Sequence, residues 1–476
     1  MNHIMKHINL KMIIGSIIFA LTIQTINAQS VAKIGYFMDN APYKHVLNPA
    51  LVPSAGYVSI PGIGSINLDF QSNLGVKNFL FPAVNENDPL LTFMHDDVTP
   101  EQFLSQLNPN NYLLMNQRIS LLSMGLFKGT TFWNFDVAIR ANEGFNIPRS
   151  FFAFMKEGMS NEQGNRYEIN DLSLSFGTLA EASLGSSFLV TDDIRVGVKG
   201  KLLFGVARAN IAFEEVIIDM RPDKWSVTAN GLANTYIKGG EFETDEDGVV
   251  SGLKNASAGV TGFGVGLDMG ASWITPVENL TVSAGIVDLG VIGWNKTHNR
   301  VARSSGTTEF TGIEGIGLEE DNQEEEEEPF AEVIDNFKKL VQLKPTNENN
   351  KLSEGLSPTI NLGAEYKILE DKITAGLLFS SRLIPKNSIS EITGIINFKP
   401  ISLVNVSASY TLLNNVAQSI GLGLGLNLGI ANIFLACDYI PMIYTSGDVR
   451  LPLTKATTNF QAGFAILLGK MDENKK

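Results

Sequence analysis

The segment 419–429 constrains the fold more than any other stretch of the chain. It reads Ser-Ile-Gly-Leu-Gly-Leu-Gly-Leu-Asn-Leu-Gly, so a large apolar residue alternates with a small or polar one throughout. This strict period of two predicts a β-strand with one apolar face and one thin polar face. Its length of about ten residues is what a tilted strand needs to cross a bilayer. The segment therefore indicates a membrane-spanning strand.

The same alternation returns along the chain. Candidate strands are 57–70, 119–126, 131–141, 172–176, 184–190, 196–204, 211–220, 225–236, 260–274, 280–287, 359–367, 372–381, 391–398, 403–412, 418–428, 431–439 and 459–467. Strands in a bilayer must close on themselves, because an open edge would leave unpaired backbone groups in lipid. We therefore predict an all-β fold, a transmembrane antiparallel β-barrel of about 14 strands with a few short helices in insertions.

A soluble β-sandwich or β-propeller is the alternative. The polar strand faces consist of glycine, serine, asparagine and a few charges, unlike the Lys, Glu and Thr of a solvated sheet, and the chain has 44 glycines. No repeat of about 40–50 residues supports a propeller. Aromatic residues at strand ends suggest the interfacial girdles of a barrel: Trp273, Trp294, Tyr410, Tyr439 and Tyr444.

Charged side chains on the candidate strands identify the lumen face. An arginine at the bilayer midplane costs a barrel about 2–4 kcal/mol, so such residues point inward. Asp136 and Arg140 share a face opposite Trp133 and Val137. By the same alternation we expect three further residues to face the lumen: Lys199, Lys201 and Asp268.

The N-terminus has the parts of a secretory signal peptide. Lys6, His7 and Lys11 precede an apolar run at 12–23, and Ala28 suits a cleavage site. The run is too short for a membrane anchor. An exported barrel belongs in the outer membrane. We predict a signal peptide at 1–28, a hatch-like segment at 29–55, a barrel at 56–469 with insertions at 75–111, 148–166 and 296–356, and a polar tail at 470–476.

The segment before the first strand contains Asn48-Pro49-Ala50. An Asn-Pro pair is a turn signal, and a plain turn leading into the first strand is one interpretation. With the Ser59-Ile60-Pro61 entry and the insertion at 148–158, this layout resembles an uncharacterised family of Gram-negative outer-membrane barrels. It is also distantly similar to the long-chain fatty-acid transporter barrels. That resemblance implies that the N-terminal segment folds into the barrel as a hatch.

Two insertions contain predicted amphipathic helices. Residues 149–159 carry Phe151, Phe152 and Phe154, and residues 330–343 carry Phe330 and Phe337 at helical spacing. The first helix either receives an aliphatic ligand or packs on the barrel rim or inside the barrel, and we favour packing. The second caps a mouth, plugs the lumen or docks a partner, and we favour the cap or plug.

The sequence offers no catalytic, cofactor or metal site. The mature chain keeps three scattered histidines and lacks a nucleophile elbow or phosphate loop, which argues against an enzyme. Glu243-x-Asp245-x-Asp247-Gly248 imitates a calcium loop, but Lys254 stands where the bidentate Glu is required, and Asp-Gly is ordinary in hairpins. The net charge of −14 argues against nucleic acid as a partner.

Two functions stay open at this point. The first is uptake of a hydrophobic small molecule through a plugged lumen, motivated by the hatch-like segment and the apolar insertion helices. The second is a non-transporting barrel that acts as an adaptor for a secretion or surface protein. The acidic run at 319–328 and the helix after it motivate this alternative. Membrane lipid is the expected partner in both cases.

Overall fold

The computed structural model describes residues 31–39, 41–59, 64–81, 91–161, 163–310, 337–369, 372–383, 388–413, 416–440 and 457–470. Several predictions fall outside these residues. They are the signal peptide, the acidic run at 319–328, Phe330, Tyr444 and nearly all of the polar tail.

The elements in chain order are as follows. The strands are β1 (Ala55–Ser59), β2 (Ser65–Ser72), β3 (Leu80–Phe81), β4 (Leu91–Thr92), β5 (Asn110–Lys128), β6 (Thr131–Pro148), β7 (Asn165–Leu189), β8 (Ile194–Met220), β9 (Trp225–Ile237), β10 (Glu241–Thr244), β11 (Val250–Lys254), β12 (Gly262–Ile274), β13 (Leu280–Trp294), β14 (Asn299–Phe310), β15 (Lys344–Thr346), β16 (Leu352–Gly355), β17 (Thr359–Leu369), β18 (Ile373–Arg382), β19 (Ile389–Ile401), β20 (Val404–Leu413), β21 (Val416–Asn427), β22 (Ala431–Ile440) and β23 (Thr458–Lys470). The helices are α1 (Pro100–Leu104) and α2 (Arg149–Glu157), with short 3-10 helices at Lys33–Phe37, Lys44–Val46, Val76–Asn78 and Lys296–His298.

The described strands close into a fourteen-stranded antiparallel barrel. Thirteen of its strands follow the order β5-β6-β7-β8-β12-β13-β17-β18-β19-β20-β21-β22-β23. The fourteenth position, between β23 and β5, is occupied by β1 and β2 together. The predicted fold class and strand number are confirmed. The segment 419–429 lies mostly in β21, where its leucines pair with apolar residues of β20 and β22.

Several predicted strands have different limits in the structure. The segments 172–176 and 184–190 are parts of β7, and 196–204 and 211–220 are parts of β8. These strands are 25 and 27 residues long and are paired with each other along almost their whole length. The positions where the apolar–polar alternation breaks down are therefore bulges and small residues within a strand, and not turns between strands. The segment 225–236 is β9, which pairs outside the barrel with β8 and β14. The predicted first strand is interrupted between β1 and β2.

The outer surface of the barrel is apolar. Val265 and Leu202 are directly paired across β12 and β8 on this surface, with 57% and 56% of their area exposed. Large apolar residues at the same outward parity continue round the wall on β17, β18, β19 and β21. Such a continuous apolar band is suited to lipid and not to water. Among the described helices, none is long and apolar enough to cross a membrane.

The two ends of the barrel differ. At one end, here called the short-turn end, β1 begins beside the last residue of β23, and β5 and β6 are joined by a two-residue turn in which Gly129 has a φ of 63°. A tight hairpin favours glycine at such an angle. At the other end the long connections and the projecting parts of β7, β8, β9 and β14 fold into an apolar cluster, which we call the cap. Its buried aromatic residues include Phe81, Phe103, Phe151, Phe152, Phe213 and Phe337.

The aromatic girdle is only partly as predicted. Trp273 and Tyr410 are exposed on the outer surface, but the prediction is wrong for Trp294 and Tyr439, which are 3% exposed and point inward. Tyr439 has a φ of 58°, and this bulge turns its side chain to the lumen beside that of Asp438. Trp294 turns inward where it packs over Gly205 and Gly262, which leave room for the indole ring.

Candidate functional site

The N-terminal segment lies inside the barrel. Residues 31–39 and 41–54, here called the plug, form two 3-10 helices and no strand, so they add nothing to the barrel's hydrogen-bond ladder. Apolar plug residues such as Ile34 and Met38 pack against inward residues of the wall, including Leu378, Ile395 and Phe434. The plug therefore fills the lumen as an apolar insert within a largely polar wall.

The predicted hatch residues form a turn that also joins the plug to the wall. Asn48 Oδ1 accepts a hydrogen bond from the Ala50 amide at 2.9 Å. Asn48 Nδ2 donates to the Tyr36 hydroxyl at 3.0 Å and to the Ala284 carbonyl of β13 at 3.2 Å. Pro49 lies against Gly197 of β8. The turn thus lies within the lumen, in the segment that leads to β1.

Glycines of the wall make room for the plug. A Cβ atom on Gly270 would lie 1.9 Å from Asn48 Oδ1, and one on Gly376 would lie 2.3 Å from the Phe37 ring. Neither separation is possible for real atoms. Further wall glycines in tight contact with the plug are Gly197, Gly285, Gly363 and Gly463. The face of the strands that carries small residues is therefore the surface against which the plug packs.

The lumen-facing candidates contribute to buried ion pairs. Arg140 donates from Nη1 and Nη2 to the two oxygens of Asp288, both at 3.0 Å, and from Nη1 to Glu181 at 2.8 Å. Lys201 Nζ lies 2.6 Å from Asp288 and 2.8 Å from Asp268. Arg118 extends this central network by donating to Glu181 at 3.1 Å. These residues join β5, β6, β7, β8, β12 and β13 across the lumen.

A second network connects the wall to the plug through His45. Lys199 Nζ lies 3.0 Å from Asp136 and donates to His45 Nδ1 at 2.9 Å. The opposite ring nitrogen, Nε2, lies 2.5 Å from the Tyr57 hydroxyl, which contacts Ser123 at 2.8 Å. Because Nδ1 accepts, the neutral ring carries its proton on Nε2 and donates to Tyr57. All five predicted lumen residues thus lie in buried contacts.

Burial keeps His45 neutral. Desolvation, reinforced by the Lys199 ammonium, lowers the pKa of His45 from 6.5 to about 3. Asp136 opposes this shift, and Arg118 adds to it. A folded-state pKa below the unfolded one means that the contribution to stability is complete above pH 6.5 and is lost as the pH falls toward 3.

We expect His45→Gln to reduce the acid sensitivity of the fold. Glutamine can accept from Lys199 and donate to Tyr57 but takes up no proton. The wild-type protein should lose up to about 1.4 kcal/mol more per pH unit than the variant between pH 6.5 and 3. Unfolding in urea at a series of pH values measures the difference. The control is His95→Gln, because His95 is exposed. Equal acid sensitivity of wild type and His45→Gln would contradict the expectation.

The alternation of apolar and polar residues did not identify two further lumen residues, Asp288 and Glu181. Asp288 has a φ of 62° at a bulge in β13 opposite Asp268, so it faces inward together with its neighbour Val287. A bulge breaks the alternation on which the prediction rests. Glu181 lies in the middle of β7, between two segments that the alternation had separated. The parity that it shares with Ser183 and Ser187 could have identified it.

The predicted loop phenylalanines belong to the core of the cap. Phe151 and Phe152 of α2 are buried, and their rings lie 5.2 Å from Phe337 and 5.9 Å from Phe103 respectively. Phe154 is half-buried, 5.7 Å from Tyr167. Residues 337–341 are helical, and their apolar side chains pack into the same cluster. These side chains hold the cap together and do not form an open apolar groove.

The calcium-like segment is a hairpin. It joins β10 to β11, and Asp245 Oδ1 accepts from the amides of Asp247 at 3.0 Å and Val249 at 2.8 Å. Lys254 pairs with Glu241 at the far end of the hairpin. Within the described ranges, no group of three or more His, Cys, Asp or Glu residues could hold a metal ion.

Comparison with known proteins identifies the family. The family of unknown function DUF5723 matches residues 49–438, which is most of the chain. The chain belongs to this family. No protein among those with curated descriptions matches the sequence.

Solved structures show a distant likeness to this member of DUF5723. The toluene transporter TbuX of Ralstonia pickettii has 9% identity and a TM-score of 0.45, covering 93% of this chain and 99% of its own. The toluene transporter TodX of P. putida has 9% identity and a TM-score of 0.43, covering 94% and 100%. A Pseudomonas aeruginosa FadL homologue has 11% identity and a TM-score of 0.39, covering 95% and 100%.

Proposed function

We propose that this protein is a gated channel of the outer membrane that takes up hydrophobic small molecules, with the plug as its movable gate. The supporting observation is the plug itself. It fills the lumen but contributes no strand to the barrel, so it can shift without breaking the ladder that keeps the wall closed.

The chemistry of the plug favours an apolar cargo. Its side chains at Ile34, Met38, Val46 and Leu47 are buried against the wall. A hydrophobic molecule that moves between plug and wall can replace those contacts and keep the displaced apolar surface away from water. A polar solute would leave that surface unburied.

The two ends of the barrel suggest its orientation. Outer-membrane barrels have short periplasmic turns and long extracellular loops. On this rule the short-turn end faces the periplasm and the cap faces outward. Cargo would arrive beneath the cap, pass the plug and leave between the short turns.

A disulfide that fixes the plug tests the proposal. A Cβ on Gly285 would lie 3.2 Å from the Cβ of Asn48, so Asn48→Cys with Gly285→Cys approaches the separation of a disulfide. Cys437 is replaced by serine in this background. We expect oxidation to slow uptake of the fluorophore N-phenyl-1-naphthylamine at least fivefold by cells carrying the barrel, and reduction to restore it.

Each single-cysteine variant serves as a control, since it carries the same substitution without the link. Its uptake rate should not respond to oxidation. If the linked protein takes up the fluorophore equally fast before and after reduction, the plug is not the gate.

The adaptor function has less support. Its motives were the acidic run at 319–328 and the helix that follows it, but Phe337, Leu340 and Val341 of that helix are buried in the protein's own cap. Residues 330–336 and the acidic run lie outside the described ranges. No observation on the described chain favours a secretion or surface protein as partner.

A further inference from the structure

A narrow cavity lies between the plug and the wall in the capped half of the lumen. The plug contributes three apolar side chains to it, Val31, Val46 and Leu47, together with Lys33. The wall contributes two apolar side chains, Val287 and Ile389, and polar groups from several strands: Gln71, Thr359, Asn361, Ser380, Arg382, Glu391 and Tyr439. The cavity is therefore amphipathic, and most of its apolar side chains belong to the plug, which we propose to move.

Two polar atoms that line this cavity have no hydrogen-bond partner among the described residues. Thr359 and Arg382 are directly paired across β17 and β18. They are 7% and 5% exposed, and no described residue forms a hydrogen bond with Thr359 Oγ1 or Arg382 Nη1. The nearest ionic partner of Arg382 is Asp69 Oδ2 at 3.8 Å, beyond hydrogen-bond distance.

Neighbouring polar groups of the cavity have partners within the protein. Ser380 donates to Asn361 Oδ1 at 2.7 Å, while Asn361 Nδ2 donates to the Leu47 carbonyl of the plug at 2.8 Å. Lys33 forms an ion pair with Glu391 and donates to the Tyr439 hydroxyl at 2.8 Å. A buried polar atom without a partner is costly, so the Thr359–Arg382 pair is adapted to a group that arrives from outside.

The charges around the cavity restrict that group. Lys33 and Arg382 are the cations, and three carboxylates lie near them, those of Asp69, Glu391 and Asp438. An anionic ligand would add a fourth carboxylate to a region that is already negative, which is unfavourable at low dielectric. An ammonium group has no lone pair to accept from Arg382 and is repelled by it.

We propose that this cavity binds the oxygen of a neutral, oxygen-bearing apolar molecule, of the alcohol, phenol or ketone class. The oxygen accepts a hydrogen bond from Arg382 Nη1 and contacts the Thr359 hydroxyl. The apolar body displaces Val31, Val46 and Leu47, so binding and movement of the plug are linked. The proposal rests on the proposed function, of which it defines the cargo.

Calorimetric titration of the detergent-solubilised protein tests the inference, with a blank titration into protein-free micelles. The probes share one apolar body and differ in the head group: 1-hexanol, hexanoate and hexylamine. We expect 1-hexanol to bind at least tenfold more tightly than either charged probe. Thr359→Val, which keeps the shape of the side chain and removes its hydroxyl, should weaken hexanol binding about fivefold to tenfold.

Arg382→Gln should weaken it further and abolish the preference for the neutral probe. The control is Ser187→Ala, because Ser187 is also buried and its hydroxyl has no hydrogen-bond partner among the described residues, but it does not line this cavity. Its affinity should stay within twofold of the wild type. Tightest binding of hexanoate, absence of hexanol binding, or equal affinities of wild type and Thr359→Val would each overturn the inference.

The two experiments distinguish a failure of the proposed binding cavity from a failure of the proposed channel. If hexanol affinity depends on Thr359 but the uptake rate is the same with and without the plug disulfide, only the proposed channel is refuted. If the disulfide slows uptake but Thr359→Val leaves hexanol affinity unchanged, only the proposed binding cavity is refuted.

Discussion

Gly197→Val is expected to expel the plug from the lumen while the barrel stays closed. A Cβ at this position of β8 would lie 2.2 Å from the carbonyl carbon of Pro49, 2.3 Å from its oxygen and 2.5 Å from the Ala50 nitrogen. These are backbone atoms, which cannot turn aside as a side chain can. The plug must therefore leave its seat, since β8 is paired on both sides with β7 and β12.

Two measurements check this expectation. Vesicles containing the variant should admit arabinose at least tenfold faster than vesicles with the wild-type protein, because the lumen is open. Limited proteolysis should cut the variant within residues 31–54 and spare the barrel strands.

Gly200→Val is the matched control. Gly200 lies three residues further along β8, is exposed, and has no atom within 4 Å of the position of a Cβ. Valine raises the β-propensity equally at both positions, so only the contact with the plug differs. The idea that these glycines seat the plug fails if Gly197→Val keeps the plug protected from protease.

Lys201→Met is expected to be the most destabilising substitution in the central network. Lys201 is the described ion-pair partner of Asp268 and shares Asp288 with Arg140. Its removal leaves the buried Asp268 carboxylate uncompensated, which typically costs about 3–5 kcal/mol. Urea unfolding of the protein refolded in lipid vesicles, followed by tryptophan fluorescence, measures the loss.

The double variant Lys201→Met with Asp268→Asn separates a charge effect from a packing effect. It removes both charges and keeps the Arg140–Asp288 pair, so we expect it to regain at least half of the stability lost in the single variant. Lys367→Met, at an exposed position on β17, should change the free energy of unfolding by less than about 0.5 kcal/mol. A double variant as unstable as Lys201→Met would show that the lysine stabilises by packing.

The sequence predicted the wall well because a bilayer imposes a simple rule. Outward residues must be apolar, and charges on the same strand must point the other way. This rule predicted about 14 strands, and it put Asp136, Arg140, Lys199, Lys201 and Asp268 on the inner face; in the structure these residues form ion pairs. It failed at bulges, where one residue with a positive φ shifts the parity of its neighbours, as at Asp288 and Tyr439.

The interior could not be predicted in the same way. Period two tells which face a side chain is on, but not which strands meet across the lumen. Glu181 and Asp288 are 107 residues apart in sequence and bind the same arginine. Alternation predicts only that the glycines of β12 and β18 belong to the inner face of the barrel. It does not predict their contact with Asn48 and Phe37, because that contact depends on the position of the plug, which contains no strand.

The sequence by itself thus determined the barrel, because lipid acts on each strand separately and local alternation records its effect. The tertiary structure alone decided how the lumen is filled. Ion pairing and the fit of glycine to the plug arise between residues far apart in the chain, as does the cavity in which Thr359 Oγ1 and Arg382 Nη1 have no hydrogen-bond partner among the described residues. Such contacts depend on closure of the barrel, which brings together faces that no local pattern relates.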